Sequence, residues 1–182
     1  MPLDVGDPEL AHLTSCGVRG VRWNLVGGAV IPDLKTARVQ DFLGKLRTHD
    51  LNLEVHLEGA RLAAHIAQLA DQGLKIVVDH FGLPSDATPA SDPFINAVRN
   101  MESNRNVFIK LSAPYRTHFD IMPHLECLLD VLSPDQTVWG SDWPHTQHEN
   151  TVDYVAVYSD AARSLGVCDT RSVEVLYGIA AR

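Results

Sequence analysis

Apolar residues along the chain fall into two rhythms that take turns. Val39, Phe42, Leu43 and Leu46 recur at three- and four-residue spacing, which predicts an amphipathic helix over 35–48. Directly after it, "LNLEVHL" (51–57) alternates polar and apolar positions, the period of a half-buried strand. The exchange then repeats. Leu62, Ile66 and Leu69 mark a helix ended by Gly73, and "LKIVVDH" is a strand whose unbroken apolar run suits a sheet covered on both faces. Asp92-Pro93 opens a helix carrying Phe94, Val98 and Met101, and "NVFIKLS" follows as a strand. Met122, Leu125, Leu129 and Leu132 predict a helix closed by Pro134, and "QTVWGS" is the next strand. Val155, Tyr158, Ala162 and Leu165 form a helix with Gly166 beyond it, and a short helix from Thr170 to Ile179 completes the pattern. Upstream, Asp7-Pro8-Glu9 starts a first helix that Gly17 stops, and "VRGVRWNLV" reads as the first strand.

The order is one helix, five strand–helix units and a tail helix. The strand ends fall at Asn24, Leu57, His80, Ser112 and Asp142, close to the interval of a βαβ unit, roughly 30 residues. Repeated units of this kind require a parallel sheet with helices outside it, closed as a doubly wound open sheet or as a (β/α)₈ barrel. No glycine-rich phosphate loop follows any strand, which argues against a dinucleotide-binding domain.

Composition narrows the partners. The 182 residues are 45% hydrophobic and 21% charged, enough for one core and a single domain spanning 1–182. A net charge of −8, with Arg19 and Arg22 the only dense basic spacing, argues against a nucleic-acid partner. No apolar run approaches the roughly 18 residues of a membrane span. Cys16, Cys127 and Cys168 are odd in number and far apart, which suits a reduced, cytoplasmic protein rather than a disulfide framework or zinc site.

In parallel α/β folds the chemistry gathers at the carboxyl ends of the strands. Here every one of those ends delivers polar or ionisable residues: Arg22 and Asn24, then His56 and Glu58, then Asp79 and His80, then Lys110, Ser112, Tyr115 and Arg116, then Ser141, Asp142 and His145. Each also has a structural reading. His80 could cap the turn before Phe-Gly-Leu-Pro, His56 could be a hydrogen-bonded core histidine, and Lys110 could be an inward-pointing strand residue. Asp142 could make an Asx turn, Arg116 could be a solvated loop charge, and Trp23 and Trp143 could pack as core or rim. The stretch "VWGSDWPHT" (138–146) resists that reading most: a turn uses its Gly, Asp and Pro but has no need of Trp143 or His145.

"VWGSDWPHT", "IVVDHFG", "FIKLSAPYR" and "GVRGVRWN" together resemble the amidohydrolase-2 branch of the amidohydrolase superfamily, and within it the lactonase-like metal-dependent hydrolases. The resemblance runs from Glu9 to Tyr177, with GSDWPH its most specific part. It implies a TIM-type barrel that hydrolyses lactones or related cyclic esters of small carboxylic acids. Asp142 would be the general base that activates water, and His80 would polarise the carbonyl or bind metal. Arg22 and Arg116 would hold a substrate carboxylate, with Tyr115, Trp143 and His145 also lining the substrate site. A divalent metal, Zn or Mn, would sit on His56, His80 and Asp142, unless the reaction is metal-independent.

The departures are equally specific. Family barrels begin with a His-x-His pair, and no His-x-His occurs here. The five strands correspond to the fourth to eighth of the barrel, so the expected architecture is a partial barrel lacking the first three. Leu83 follows "DHFG" where dicarboxylate-hydrolysing members carry arginine, so that dicarboxylate is not the expected substrate. The alternatives are a metal-dependent decarboxylase of the same branch, or a catalytically inactive partial barrel whose open sheet edges lead it to self-associate.

Overall fold

Each expected strand is present, and all run in the same direction. The computed structural model of the chain describes residues 1–164 and 170–179. Strands β1 (Gly20–Asn24), β2 (Asn52–His56), β3 (Ile76–Val78), β4 (Val107–Leu111) and β5 (Thr137–Trp139) form one sheet in chain order, every neighbouring pair parallel. In register, Arg22 faces Glu54 and Asn24 faces His56, so the strand ends stay level across the sheet.

The helices follow the apolar period with two local differences. Helices α1 (Asp7–Ser15) and α2 (Ala37–Thr48) match expectation, and α2 buries Val39, Phe42, Leu43 and Leu46. The helix expected to run unbroken to Gly73 is instead two pieces, α3 (Gly59–Leu62) and α4 (Ile66–Ala70). His65, at φ −124°, leaves the helical region between them, although Leu62, Ile66 and Leu69 are buried as the period requires. Helices α5 (Pro93–Arg99) and α6 (Met122–Leu129) complete this layer. α7 (Tyr154–Ser164) and α8 (Thr170–Tyr177) follow the last strand, while Leu165 and Cys168 lie outside the described residues. β5 is shorter than "QTVWGS" because Gln136 serves a turn: it forms a capping box with Ser133 and donates to the carbonyls of Asn104 and Val107.

The sheet has two unlike faces. One carries Val21, Trp23, Leu53, Val55, Ile76, Val78, Val107, Ile109 and Leu111 into the main core with Leu10, Phe42, Leu62, Phe94 and Leu125 of the helices. Trp23 stacks on Phe42 there, settling it as a core residue. The other face carries Val77, Phe108 and Val138, capped by Leu176 of α8, and beyond them, toward the strand ends, its positions turn polar. β1 and β5 are the outer strands. Beside β5, Trp139, Tyr154 and Tyr158 form an aromatic cluster that leaves Tyr154 and Tyr158 exposed.

Buried polar groups pin the loop after β3. Asp92, fully buried at the N-cap of α5, accepts from the Phe94 and Ile95 amides through Oδ1 and from the Ser85 and Asp86 amides through Oδ2. Gly82 in the same segment has φ +81°, and a Cβ there would fall 2.1 Å from the Phe94 ring. Gly28 also has a positive φ, +82°, but open space around it. We expect Gly82→Ala to cost about 2–4 kcal/mol, combining backbone strain and overpacking, and Gly28→Ala about 1–2 kcal/mol from strain alone. Urea denaturation of the two variants measures the difference; equal losses would show that Phe94 yields freely.

Candidate active site

Two layers of charge occupy the polar part of the sheet. The lower layer is an ion network across four segments. Arg22 on β1 donates through Nε to Asp79 Oδ2 at 2.7 Å and pairs with Glu54 of β2 at 3.0 Å. Lys110 on β4 pairs with Glu54 at 2.5 Å and with Asp79 Oδ1 at 2.9 Å. Burial alone would raise the pKa of Asp79, but Lys110 and Arg22 hold it below the usual carboxylate range. Burial works against the charged form of Lys110, and Asp79 and Glu54 more than offset it, so its pKa is raised.

The upper layer holds the groups expected from sequence. His80, directly after Asp79, is buried; its Nδ1 lies 2.8 Å from Ser112 Oγ and its Nε2 3.5 Å from Asp142 Oδ1. The His56 ring meets the His80 ring edge-on, centroids 4.8 Å apart. Asp142 Oδ2 accepts from the Tyr115 hydroxyl at 2.7 Å and from Arg116 Nε at 2.9 Å, with Arg116 Nη2 also at 2.7 Å. Arg116 Nη2 reaches the Thr146 carbonyl as well. Among the described residues, Oδ1 of Asp142 has only the longer approach to His80, so it is the carboxylate oxygen left to take a proton.

Burial would raise the pKa of Asp142, but hydrogen bonds from Tyr115 and Arg116 and the charges nearby keep it low, so it is ionised at neutral pH. His80 is pushed down to about 4, by burial first and then by His56 and Arg116. His56 is lowered by burial and by Arg22. Both imidazoles are therefore neutral at pH 7, the form that ligates metal.

Backbone strain gathers in the same place. Of the eight non-glycine residues with positive φ among the described residues, seven follow β3, β4 or β5: His80, Phe81, Leu83, Ala113, Asp142, His145 and Gln147. Such conformations cost about 1–3 kcal/mol each and persist where surrounding contacts enforce them.

Asp142, His80, His56, Tyr115 and Arg116 thus converge, as strand-end chemistry requires. Arg22 lies in the lower layer with Glu54 and Asp79, and His145 is buried against the Tyr115 ring, with Nε2 3.1 Å from the Ser141 carbonyl. Trp143, next to Asp142 in the chain, is 77% exposed. The sequence reading passed over Glu54 and the Ser112 contact to His80. Glu54 was findable, because it lies two positions before His56 and so shares its face.

His56, Asp79 and His80 place donor atoms within 4.8 Å of one another. His56 Nδ1 and Asp79 Oδ1 are both buried without a hydrogen-bond partner, although Lys110 Nζ pairs with Asp79 Oδ1 at 2.9 Å. Two imidazoles and a carboxylate are a donor set that fits a divalent metal, and Asp142 Oδ1, 3.5 Å from His80 Nε2, lies next to it.

An amidohydrolase family model (Amidohydro_2) matches residues 4–168. The chain belongs to the amidohydrolase family. It is similar to a 2-pyrone-4,6-dicarboxylate hydrolase of Comamonas testosteroni, 29% identical over 159 residues that cover 78% of this chain and 50% of the relative. The chain therefore spans about half the length of the curated relatives it matches. A solved Pseudomonas putida protein, provisionally designated a 2-pyrone-4,6-dicarboxylic acid hydrolase, overlays all of this chain and 71% of its own at a TM-score of 0.87 and 29% identity. An amidohydrolase of Burkholderia multivorans solved with bound Zn shares the fold, at a TM-score of 0.72 and 20% identity over 99% of this chain and 72% of its own. The parallel sheet and its outer helices are thus the part of a TIM-type amidohydrolase barrel to which these strands correspond.

The low pKa of His80 has a measurable consequence. Below pH 6.5 the unfolded chain takes up a proton that folded His80 refuses until about pH 4, so stability falls as pH drops through that window. Urea denaturation at stepped pH should show this slope, and His80→Gln should flatten it. An unchanged slope in the variant would contradict the assignment.

Proposed function

We propose that this amidohydrolase opens a lactone ring by attack of water activated by Asp142. The observation that carries the reading is the asymmetry of the Asp142 carboxylate: Oδ2 is held by Tyr115 and Arg116, while Oδ1 faces the site beside His80. A base must be ionised, fixed and within reach of the proton it accepts, and Asp142 meets the first two requirements from its own contacts. Relatives named as lactone hydrolases support the same chemistry.

In the proposed step, Asp142 Oδ1 takes a proton from water as the water oxygen bonds to the lactone carbonyl carbon. The tetrahedral adduct then collapses and the ring C–O bond breaks. The proton held by Asp142 passes to the departing alkoxide, leaving a hydroxy acid. Neutral His80, fixed through Nδ1 by Ser112, directs Nε2 toward the reacting oxygen. His56 and His80, with Asp142, would hold a divalent metal, which when bound supplies Lewis-acid polarisation of the carbonyl. Tyr115, Arg116 and Trp143 line the approach.

Among the described residues no helix is long and apolar enough to cross a membrane. Cys16 and Cys127 are free, in keeping with the reduced cytoplasmic setting we infer.

The test is a lactone panel followed by NMR, with and without added Zn or Mn. We expect ring opening of at least one lactone, and a loss of roughly 10²–10⁴-fold in Asp142→Asn, the usual contribution of a general base. Undiminished hydrolysis in the variant, or release of CO₂ in place of ring opening, would overturn the reading.

A further inference from the structure

Ser112 lies one residue beyond β4, two positions after Lys110, and so falls on the same face of the sheet. It is 2% exposed. Among the described residues its hydroxyl has one hydrogen-bond partner, His80 Nδ1 at 2.8 Å. His80 is buried as well, and its other nitrogen, Nε2, faces Asp142 Oδ1 at 3.5 Å. With the ring neutral, two protons serve these two contacts: one on the hydroxyl and one on the imidazole.

Only one arrangement uses both protons. If the hydroxyl donates to Nδ1, the ring proton sits on Nε2 and points at the Asp142 carboxylate, so each donor has an acceptor. In the reverse arrangement Nδ1–H donates to Ser112 Oγ. The hydroxyl proton then has no acceptor among the described residues, and the Nε2 lone pair faces a carboxylate oxygen. A buried donor left unsatisfied disfavours that arrangement by roughly ten- to a hundredfold in population. A carbonyl or carboxylate in place of Ser112 could only accept, and would hold the ring proton on Nδ1. A hydroxyl both donates and accepts, so it permits either tautomer.

We propose that Ser112 is a positioning residue that holds His80 as its Nε2–H tautomer, with the N–H directed at Asp142, and that the same hydroxyl turns to accept from Nδ1–H when a divalent metal takes Nε2. One imidazole thus serves either as an uncharged N–H donor or as a ligand. The ring stays neutral throughout: the proton lost from Nε2 is matched by one gained at Nδ1 from solvent, and the hydroxyl proton rotates away from Nδ1. The bond to the metal offsets the hydroxyl contact that is given up. When no metal is bound, Nε2–H is placed to donate to the carbonyl oxygen of a lactone. That use rests on the lactone-hydrolase reading, whereas the tautomer does not.

Long-range ¹H–¹⁵N correlation NMR of the full chain locates the ring proton directly, and His80→Gln identifies the His80 signals among the nine histidines. At pH 8, above the ordinary histidine range, and with a chelator present, Nε2 should carry the proton and Nδ1 should be a hydrogen-bonded imine nitrogen. A proton on Nδ1, or on both nitrogens, overturns the inference, and this measurement needs no variant of Ser112. Ser112→Ala should move the Nδ1 resonance to the position of an imine nitrogen without a hydrogen bond. Ser112→Thr keeps the hydroxyl and should leave the resonance in place; Gly140, where a Cβ would lie 3.3 Å from the Ser112 Cβ, leaves space beside it for the added methyl. An unmoved resonance in Ser112→Ala overturns the role of the hydroxyl. Added Zn should bring the proton to Nδ1, and Ser112→Ala should weaken Zn binding, read from the same signals, by about 10–100-fold. A proton that stays on Nε2 in the presence of Zn, or a Zn affinity that Ser112→Ala leaves unchanged, overturns the second half of the proposal. A chain that shows the expected tautomers yet opens no lactone supports the role of Ser112 and overturns the hydrolytic reading alone.

Discussion

The network of Arg22, Glu54, Asp79 and Lys110 joins the first four strands of the sheet through side chains, below the level where the chemistry sits. A parallel sheet places these residues on one face: Arg22 and Glu54 lie opposite each other in register, and Asp79 and Lys110 fall on the same face two residues further along. Removing one member would leave an uncompensated charge in a partly buried setting, and breaking such pairs typically costs about 3–5 kcal/mol where they are fully buried. Arg22 is 41% exposed on its side chain, so its own share is smaller than that of Lys110 or Asp79. The network's consequence for function is positional. It holds Asp79, and Asp79 immediately precedes His80.

Above it the backbone changes character. The strands are regular, but the residues just beyond β3, β4 and β5 adopt positive φ at His80, Ala113 and Asp142. Those conformations turn side chains that would otherwise continue along the strands into a common space. The strain is supported by specific contacts: Ser112 on His80, Tyr115 and Arg116 on Asp142, Phe94 beside Gly82, and the Asp92 carboxylate on the loop that follows. The same contacts set the electrostatics. Burial leaves the imidazoles neutral, and directed donors keep the carboxylate ionised, the states that the proposed base and the proposed ligating groups require at neutral pH.

Much of this was legible in the sequence, because the apolar period sees burial and burial dictates topology. The five strands, their parallel order and the gathering of His56, His80, Tyr115, Arg116 and Asp142 at one edge follow from alternation and from the spacing of strand ends. What escaped was set by contacts between segments distant in the chain. The break at His65 leaves no mark on the apolar period. The shortening of β5 depends on Gln136 reaching the carbonyls of Asn104 and Val107. The pairing of Arg22 with Asp79 spans 57 residues, and without it Arg22 reads as a free cation at a strand end. Charge on a sequence counts what is present; only the structure shows which charges are already answered.

The central claim is that water, activated by Asp142, attacks the acyl carbon of a lactone. Turnover of a lactone in H₂¹⁸O, with the product analysed by mass spectrometry and ¹³C NMR, tests it most directly. Attack by water at the carbonyl places ¹⁸O in the new carboxylate and none in the released hydroxyl, and incorporation should fall with rate in Asp142→Asn. Label in the hydroxyl oxygen, or ring opening that incorporates no solvent oxygen, would contradict the account.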